Sequence, residues 1–332
     1  METLYPLKFE TIFKEKIWGG QKINTVLGKS FEPLENCGET WEVSGVEGNV
    51  SVVKEGPLKG RDLQSLVKEY QGKLVGNRVY EEHGDEFPLL VKFIDANKDL
   101  SIQVHPDDKL AQARHGCNGK TEMWYVFQAD HGSKLISGFN KPVTKEEYLR
   151  KLKDGSLMEI LNEEEVKPGD AFFLPAGRVH TIGKGLLLAE IQQSSDVTYR
   201  IYDFDRKDKH GNKRELHTDQ AMDAIDYNFY DEYKSRYEDQ KNMVIPLVKC
   251  NYFNTNKLWF NETVIRDYTD VDSFIIQICF AGGYNLEVDG YTISVHAGDA
   301  VLIPASANHF KLQPHAEYQL LETFVPPKVL NE

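Results

Sequence analysis

Short runs of alternating or uniformly apolar residues, cut by Gly, Asp and Pro, dominate this chain and predict a mainly β protein. In the first part they cover 39–45, 50–54, 89–94, 100–105, 122–127, 171–175 and 186–192. They resume at 244–248, 257–260, 274–280, 284–288, 291–295, 300–303 and 318–324, enough for a second β domain. Two stretches switch to helical spacing. Over 62–74, Leu63, Leu66, Val67, Tyr70 and Leu74 share one helical face. Over 144–153, Thr144 and Glu147 make a capping box ahead of Tyr148, Leu149 and Leu152. Gly155 ends that helix, and 157–161 predicts a short second one. The charged, Tyr-rich stretch 223–242 reads as a connector. The expected organisation is a first domain over 1–222 with a small helical insert near 144–161, the connector 223–242, and a second β domain over 243–332.

One pattern occurs twice: Gly169-Asp-Ala-Phe-Phe-Leu-Pro175-Ala-Gly177-Arg-Val-His180 and Gly298-Asp-Ala-Val-Leu-Ile-Pro304-Ala-Ser306-Ala-Asn-His309. Self-similarity of this kind means one structural unit used twice. Upstream of the first copy lie Gln103, His105 and Glu122; nothing comparable precedes the second. The first half therefore reads as chemical and the second as structural, with His309 a histidine that ligates nothing.

Gln103 and His105 are one residue apart in a predicted strand, so both side chains share a face. Glu122 opens another strand, and His180 follows a Pro-x-Gly turn. Two imidazoles, a carboxylate and an amide oxygen suit Zn²⁺, or another divalent first-row ion, with room for water or substrate. By the same parity argument Lys120 shares a face with Glu122, and Ser101 with Gln103 and His105.

Composition narrows the partners. The 332 residues suffice for two cores, and 16 Tyr with 17 Phe suit an aromatic-rich β protein. A formal net charge of −13 argues against nucleic acid and anionic membrane, though a local Lys/Arg pocket can still receive an anionic metabolite. The four cysteines lie far apart with no CxxC, so a reduced, cytoplasmic protein is expected, with its thiols mostly buried. The N-terminus carries no apolar signal core, and no run approaches the ~20 residues of a membrane span.

The spacing Gly-x₅-Pro-x-Gly-x₂-His resembles the second signature of the cupins, small jelly-roll barrels with a metal inside. Gln103 stands where many cupins have histidine. The resemblance sharpens with Leu100-Ser-Ile-Gln-Val-His-Pro-Asp-Asp, Gly119-Lys-Thr-Glu-Met-Trp-Tyr and Leu188-Ala-Glu-Ile-Gln-Gln-Ser-Ser-Asp-Val-Thr-Tyr-Arg-Ile-Tyr-Asp-Phe-Asp-Arg. These strings resemble the hallmarks of type I phosphomannose isomerases in their short bacterial form. Trp18-Gly-Gly and Gly38-Glu-Thr-Trp-Glu-Val-Ser fit the same family. The resemblance implies two cupin-like jelly-roll barrels, the second degenerate. It also implies a zinc site of Gln103, His105, Glu122 and His180. It makes Arg200 the active-site arginine, Lys120 a lysine beside the metal and Ser101 a hydroxyl in the phosphate-binding region. Glu190 and Asp196 lie in the signature, Glu190 as base or supporting residue and Asp196 toward the substrate.

The implied reaction interconverts mannose 6-phosphate and fructose 6-phosphate through an enediol(ate). It needs a base that reaches C1 and C2 on one face, help for charge developing on O1 and O2, and a cationic anchor for the phosphate. Lys120 is favoured as base, with Glu190 as the alternative; Arg200 suits either the phosphate or the enediolate oxygens, its alternative being a surface ion pair with Asp203 or Asp205. Two other functional classes compete: a metal-dependent cupin oxygenase, and a cupin that binds sugar phosphate without converting it. The expected partner is a small sugar phosphate, with the protein a monomer or homodimer.

Overall fold

The computed structural model describes residues 3–208 and 210–327. Its first half contains eleven strands: β1 (Ile12–Lys14), β2 (Glu39–Val43), β3 (Leu89–Ala96), β4 (Ile102–Val104), β5 (Glu122–Ala129), β6 (Lys134–Phe139), β7 (Leu161–Glu165), β8 (Ala171–Leu174), β9 (His180–Ile182), β10 (Leu186–Gln193) and β11 (Tyr199–Tyr202). They form two sheets, ordered β1-β2-β3-β10-β5-β8 and β11-β4-β9-β6-β7. The second half contains β12 (Met243–Lys249), β13 (Asn254–Phe260), β14 (Val264–Asp267), β15 (Ile275–Val288), β16 (Tyr291–His296), β17 (Ala300–Ile303) and β18 (His309–Phe324) in one sheet. The fold is mainly β. Among the described residues neither half closes into a continuous hydrogen-bonded barrel; the first is a two-sheet sandwich and the second a single curled sheet.

Period-two alternation sorts the six-stranded sheet into two faces. Val91, Phe93, Met123, Tyr125, Leu187, Ala189 and Ile191 point outward and share a core with Phe274, Ile276, Ile278, Leu302 and Leu321 of the second half. The second half thus covers an apolar face of the first, and a bridge between Leu7 and Leu302 extends the contact. The opposite face carries Trp41, Lys92, Glu190 and Trp124 in one cross-strand row, turned toward the five-stranded sheet. That sheet answers with a row of its own, Arg200, Gln103, His180 and Ser137.

Seven helices stand among the described residues: α1 (Lys22–Thr25), α2 (Leu63–Tyr70), α3 (Gly72–Val75), α4 (Asn77–His83), α5 (Asp108–His115), α6 (Lys145–Lys153) and α7 (Thr218–Ala224). The helix expected over 62–74 is broken at Gln71, whose φ of 50° lies in the left-handed region. In the insert, Thr144 accepts from the Glu147 N–H at 3.2 Å, followed by a 3₁₀ turn at Leu157–Ile160. The box is half-made, because the Glu147 carboxylate pairs with Lys141 instead. The strand expected at 50–54 reduces to single bridges at Val52 and Val53. The runs 274–280 and 284–288 are one strand, β15, bent at two register shifts. The stretch after α7 packs on the first half: Phe229 and Lys234 bridge to Phe139 and Phe172, and the Tyr233 hydroxyl donates to Phe139 O at 2.7 Å. Of the four free thiols, Cys37 and Cys279 are buried, while Cys117 and Cys250 are half-buried.

The two sequence repeats fold alike. Gly169 and Gly298 open them with φ of 91° and 93°. The turn after each proline then offers two amide N–H groups. Ala176 donates to Thr121 Oγ1 and Gly177 to His105 O, bracing two segments of the first half. Ala305 and Ser306 donate to Leu74 O and Lys73 O, fixing α3. One turn serves a site in one copy and a docking contact in the other.

Candidate active site

Cross-strand pairing brings the expected ligands together. Gln103 on β4 lies opposite His180 on β9, and Glu122 starts β5 on the facing sheet. The ligand atoms of His105, Glu122 and His180 lie within 4.8 Å of one another, and all three residues are buried. His105 Nε2 is 3.5 Å from one Glu122 oxygen, and His180 Nε2 is 3.3 Å from the other. Each imidazole gives its Nδ1–H to a backbone carbonyl, His105 to Val197 at 2.9 Å and His180 to Arg178 at 2.8 Å. That choice of tautomer leaves both Nε2 lone pairs aimed at the cluster. The Gln103 amide group stands 3.2 Å from His180 Nε2, and rotation of its terminal torsion presents Oε1 at that point.

Electrostatics fits a cation there. Both Glu122 oxygens and His105 Nε2 are buried without a hydrogen-bond partner, a costly state for three lone-pair atoms. Burial holds His105 well below its usual range and His180 down at about 4, so both are neutral. Burial and the charge of Glu190 push Glu122 up, against the pull of Lys120 and Lys92. A divalent ion relieves all three strains at once.

A cleft of about 350 Å³ opens beside the cluster. Ser101, Gln103, Lys120, Glu190, Asp196 and Arg200 line it, so every expected substrate-side residue reaches one space. Ser101 and Lys120 are buried, while Asp196 is exposed at the rim. Lys120 Nζ is 3.4 Å from Glu122. Arg200 is held by its own backbone, donating to His217 Nδ1, and by Nη1 donating to Glu215 O at 2.8 Å. Asp203 and Asp205 do not hold it: Asp203 binds Arg206 and Arg214, and Asp205 binds Lys213. Arg200 Nε is buried with no hydrogen-bond partner.

The type I phosphomannose isomerase catalytic-domain model matches residues 6–133. Over 318 residues the chain is 37% identical to mannose-6-phosphate isomerase ManA of Bacillus subtilis, spanning 95% of this chain and 98% of that protein. The chain belongs to the type I phosphomannose isomerases. It is also 44% identical over 220 residues to the mannose-6-phosphate isomerase of Streptococcus mutans, which is 66% of this chain and 67% of that one. The crystal structure of the mannose 6-phosphate isomerase from Bacillus subtilis superposes with a TM-score of 0.86 at 33% identity, covering 96% of this chain and 99% of that one.

In this phosphomannose isomerase fold, sequence reasoning missed several residues of the cleft. Lys92, Lys16 and Arg214 join Lys120 and Arg200 in the lining, against the carboxylates of Glu39, Glu190 and Asp196. Five cations against three anions give a locally positive cleft in a chain whose net charge is −13. Lys92 is the buried centre of this group. Its Nζ donates to Glu190 at 2.9 Å and Gln192 at 2.6 Å, and it lies 5.4 Å from the Trp41 ring. Trp124 Nε1 donates to the second Glu190 oxygen at 2.9 Å. Burial opposes the Glu190 charge, but Lys92, Lys120 and these hydrogen bonds outweigh it and hold the carboxyl down at about 2.

Proposed function

We propose that this chain interconverts mannose 6-phosphate and fructose 6-phosphate, the reaction named for its Bacillus and Streptococcus relatives. The observation that carries the reading is the junction of a cation-shaped cluster with a positively charged cleft in a member of this family. Gln103, His105, Glu122 and His180 would hold one Zn²⁺ or another divalent first-row ion. When bound, such an ion orients the sugar and stabilises negative charge on its oxygens.

The chain's own side chains supply the rest. Arg200 lines the cleft and presents a planar guanidinium fork, suited to phosphate or to enediolate oxygens. Ser101 offers a hydroxyl on the same wall, and Asp196 at the rim suits a sugar hydroxyl. Lys120 is the group we assign as base: it takes the proton from C2 of the aldose and returns it to C1, while a second proton passes between O2 and O1. Glu190 is poorly suited to that task. Both its oxygens accept hydrogen bonds, and its low pKa makes it a weak base near neutrality. We assign it instead to holding Lys92 and Trp124.

No helix of the described residues is long and apolar enough to cross a membrane. With a small polar substrate, we place the enzyme in the cytoplasm. The test is direct: purified protein receives fructose 6-phosphate in D₂O, with and without chelator. Mannose 6-phosphate carrying deuterium at C2, formed only with metal present, is the expected outcome. Binding without conversion would replace this reading with that of a sugar-phosphate-binding cupin, and O₂-dependent turnover with an oxygenase.

A further inference from the structure

We infer that Tyr252, a residue of the second half, positions Lys120 for the isomerisation proposed above, on which this inference rests. Lys120 lies between α5 and β5 on a segment with no regular hydrogen-bond ladder of its own. Four hydrogen bonds hold its backbone and that of its two neighbours, one of them from the Gln193 N–H to Thr121 O at 3.1 Å. The Lys120 N–H donates to Pro106 O at 3.1 Å. The preceding Gly119 N–H donates to Asp108 Oδ1 at 2.9 Å. The following Thr121 N–H donates to Gln193 Oε1 at 2.8 Å, and Gln193 Nε2 in turn donates to the same Asp108 Oδ1 at 2.9 Å. Asp108 is therefore the shared anchor of both residues that flank Lys120.

The other Asp108 oxygen accepts from the Tyr252 hydroxyl at 2.8 Å. Tyr252 sits between β12 and β13, 144 residues away in the chain, where the second half reaches over the first. Burial and the bond to Asp108 raise the phenol's pKa, so it keeps the proton it donates. Gly119 makes the arrangement possible: a Cβ there would come within 2.5 Å of Asp107 C and Asp108 N. Tyr252 faces a separate small recess with Asp108, Asn118 and Gln193, not the catalytic cleft. It is thus a positioning residue. Hydrogen bonds to a charged acceptor are the stronger kind, and small displacements of a reacting group cost rate steeply. The second half, which among the described residues carries no comparable ligand cluster of its own, contributes to turnover through this contact.

The test uses the full-length, zinc-loaded chain with fructose 6-phosphate. Tyr252→Phe should lower kcat about 5- to 20-fold, with KM and bound zinc unchanged. In a Lys120→Ala background, followed at high enzyme concentration, Tyr252→Phe should add no further loss. In the metal-free protein the same substitution should speed amide exchange at residues 119–121 and leave the β15 and β18 amides unchanged. Unaltered kcat with unaltered exchange at 119–121, or an equal loss with and without Lys120, overturns the inference. If wild-type protein fails to convert the sugar, the functional reading falls instead, and the exchange experiment alone still decides whether Tyr252 holds the segment.

Discussion

Glu190 and Glu322 occupy the same place in the two halves. Phe172 and Val301 stand at equivalent points of the sequence repeat; opposite them lie Trp124 and Gln277, and opposite those lie Glu190 and Glu322. Each glutamate is buried and tied to a cation and further donors, Glu190 to Lys92 and Trp124, Glu322 to Arg266, Tyr268 and Gln277. The metal position does not persist: Ile275 takes the place of Glu122, and the exposed His309, paired with Asp267, that of His180. A carboxylate at the equivalent place in a half with no metal cluster among its described residues points to a structural task, and this supports reading Glu190 as a tie.

Glu190→Gln should therefore destabilise the fold by about 3–5 kcal/mol, because Lys92 is left as a buried charge without its partner. The double variant Lys92→Met with Glu190→Gln should recover much of that loss. Denaturant unfolding of the four proteins measures the coupling. Additive losses would contradict the pairing.

The same pair sets an acid limit. The Glu190 carboxyl is held at about 2 in the fold against an ordinary 4.5. A depressed folded pKa means the unfolded chain binds the proton more readily. Its stabilisation is complete above about pH 4.5 and is lost as pH falls toward 2. Thermal unfolding followed from pH 5 to 3 should show a shallower fall for Glu190→Gln than for wild type.

Arg200→Ala should fold with little change and lose turnover by about 100-fold or more, the scale of removing a group that meets developing charge. Arg200→Lys should not restore it, since an ammonium lacks the planar fork. Steady-state kinetics beside a melting curve checks both parts.

The halves are also joined by a cap supplied in trans. The Asp272 carboxylate accepts from the Asn77 and Arg78 N–H groups at 2.7 and 2.8 Å, the open N-terminus of α4. Asp272→Ala should cost about 1 kcal/mol of stability and leave kcat and KM unchanged.

Much of this was legible in the sequence where alternation is strict. Over β3, β5 and β10 period-two parity separates the site face from the covered face, and the repeat marks the two equivalent turns. The strand expected at 50–54 failed because Val52 and Val53 meet only isolated partners. Lys92 was hidden inside an apolar run, although a lone lysine at the parity of Leu90 and Ile94 was a usable signal. Lys16 and Arg214 come from irregular segments that carry no period. The Asp107 carboxylate caps α5 by accepting from Leu110 N–H. The start of α4 could not be read locally, since its cap lies 195 residues away. Tyr252 was invisible for the same reason.

Gln103, His105, Glu122 and His180 are proposed to grip one divalent ion. Crystals grown with zinc and measured at its absorption edge test this most directly. One anomalous peak about 2.0–2.2 Å from His105 Nε2, His180 Nε2 and a Glu122 oxygen, lost in His105→Ala, is the expected result. A map without density between these side chains, in crystals whose enzyme still converts fructose 6-phosphate, would contradict it.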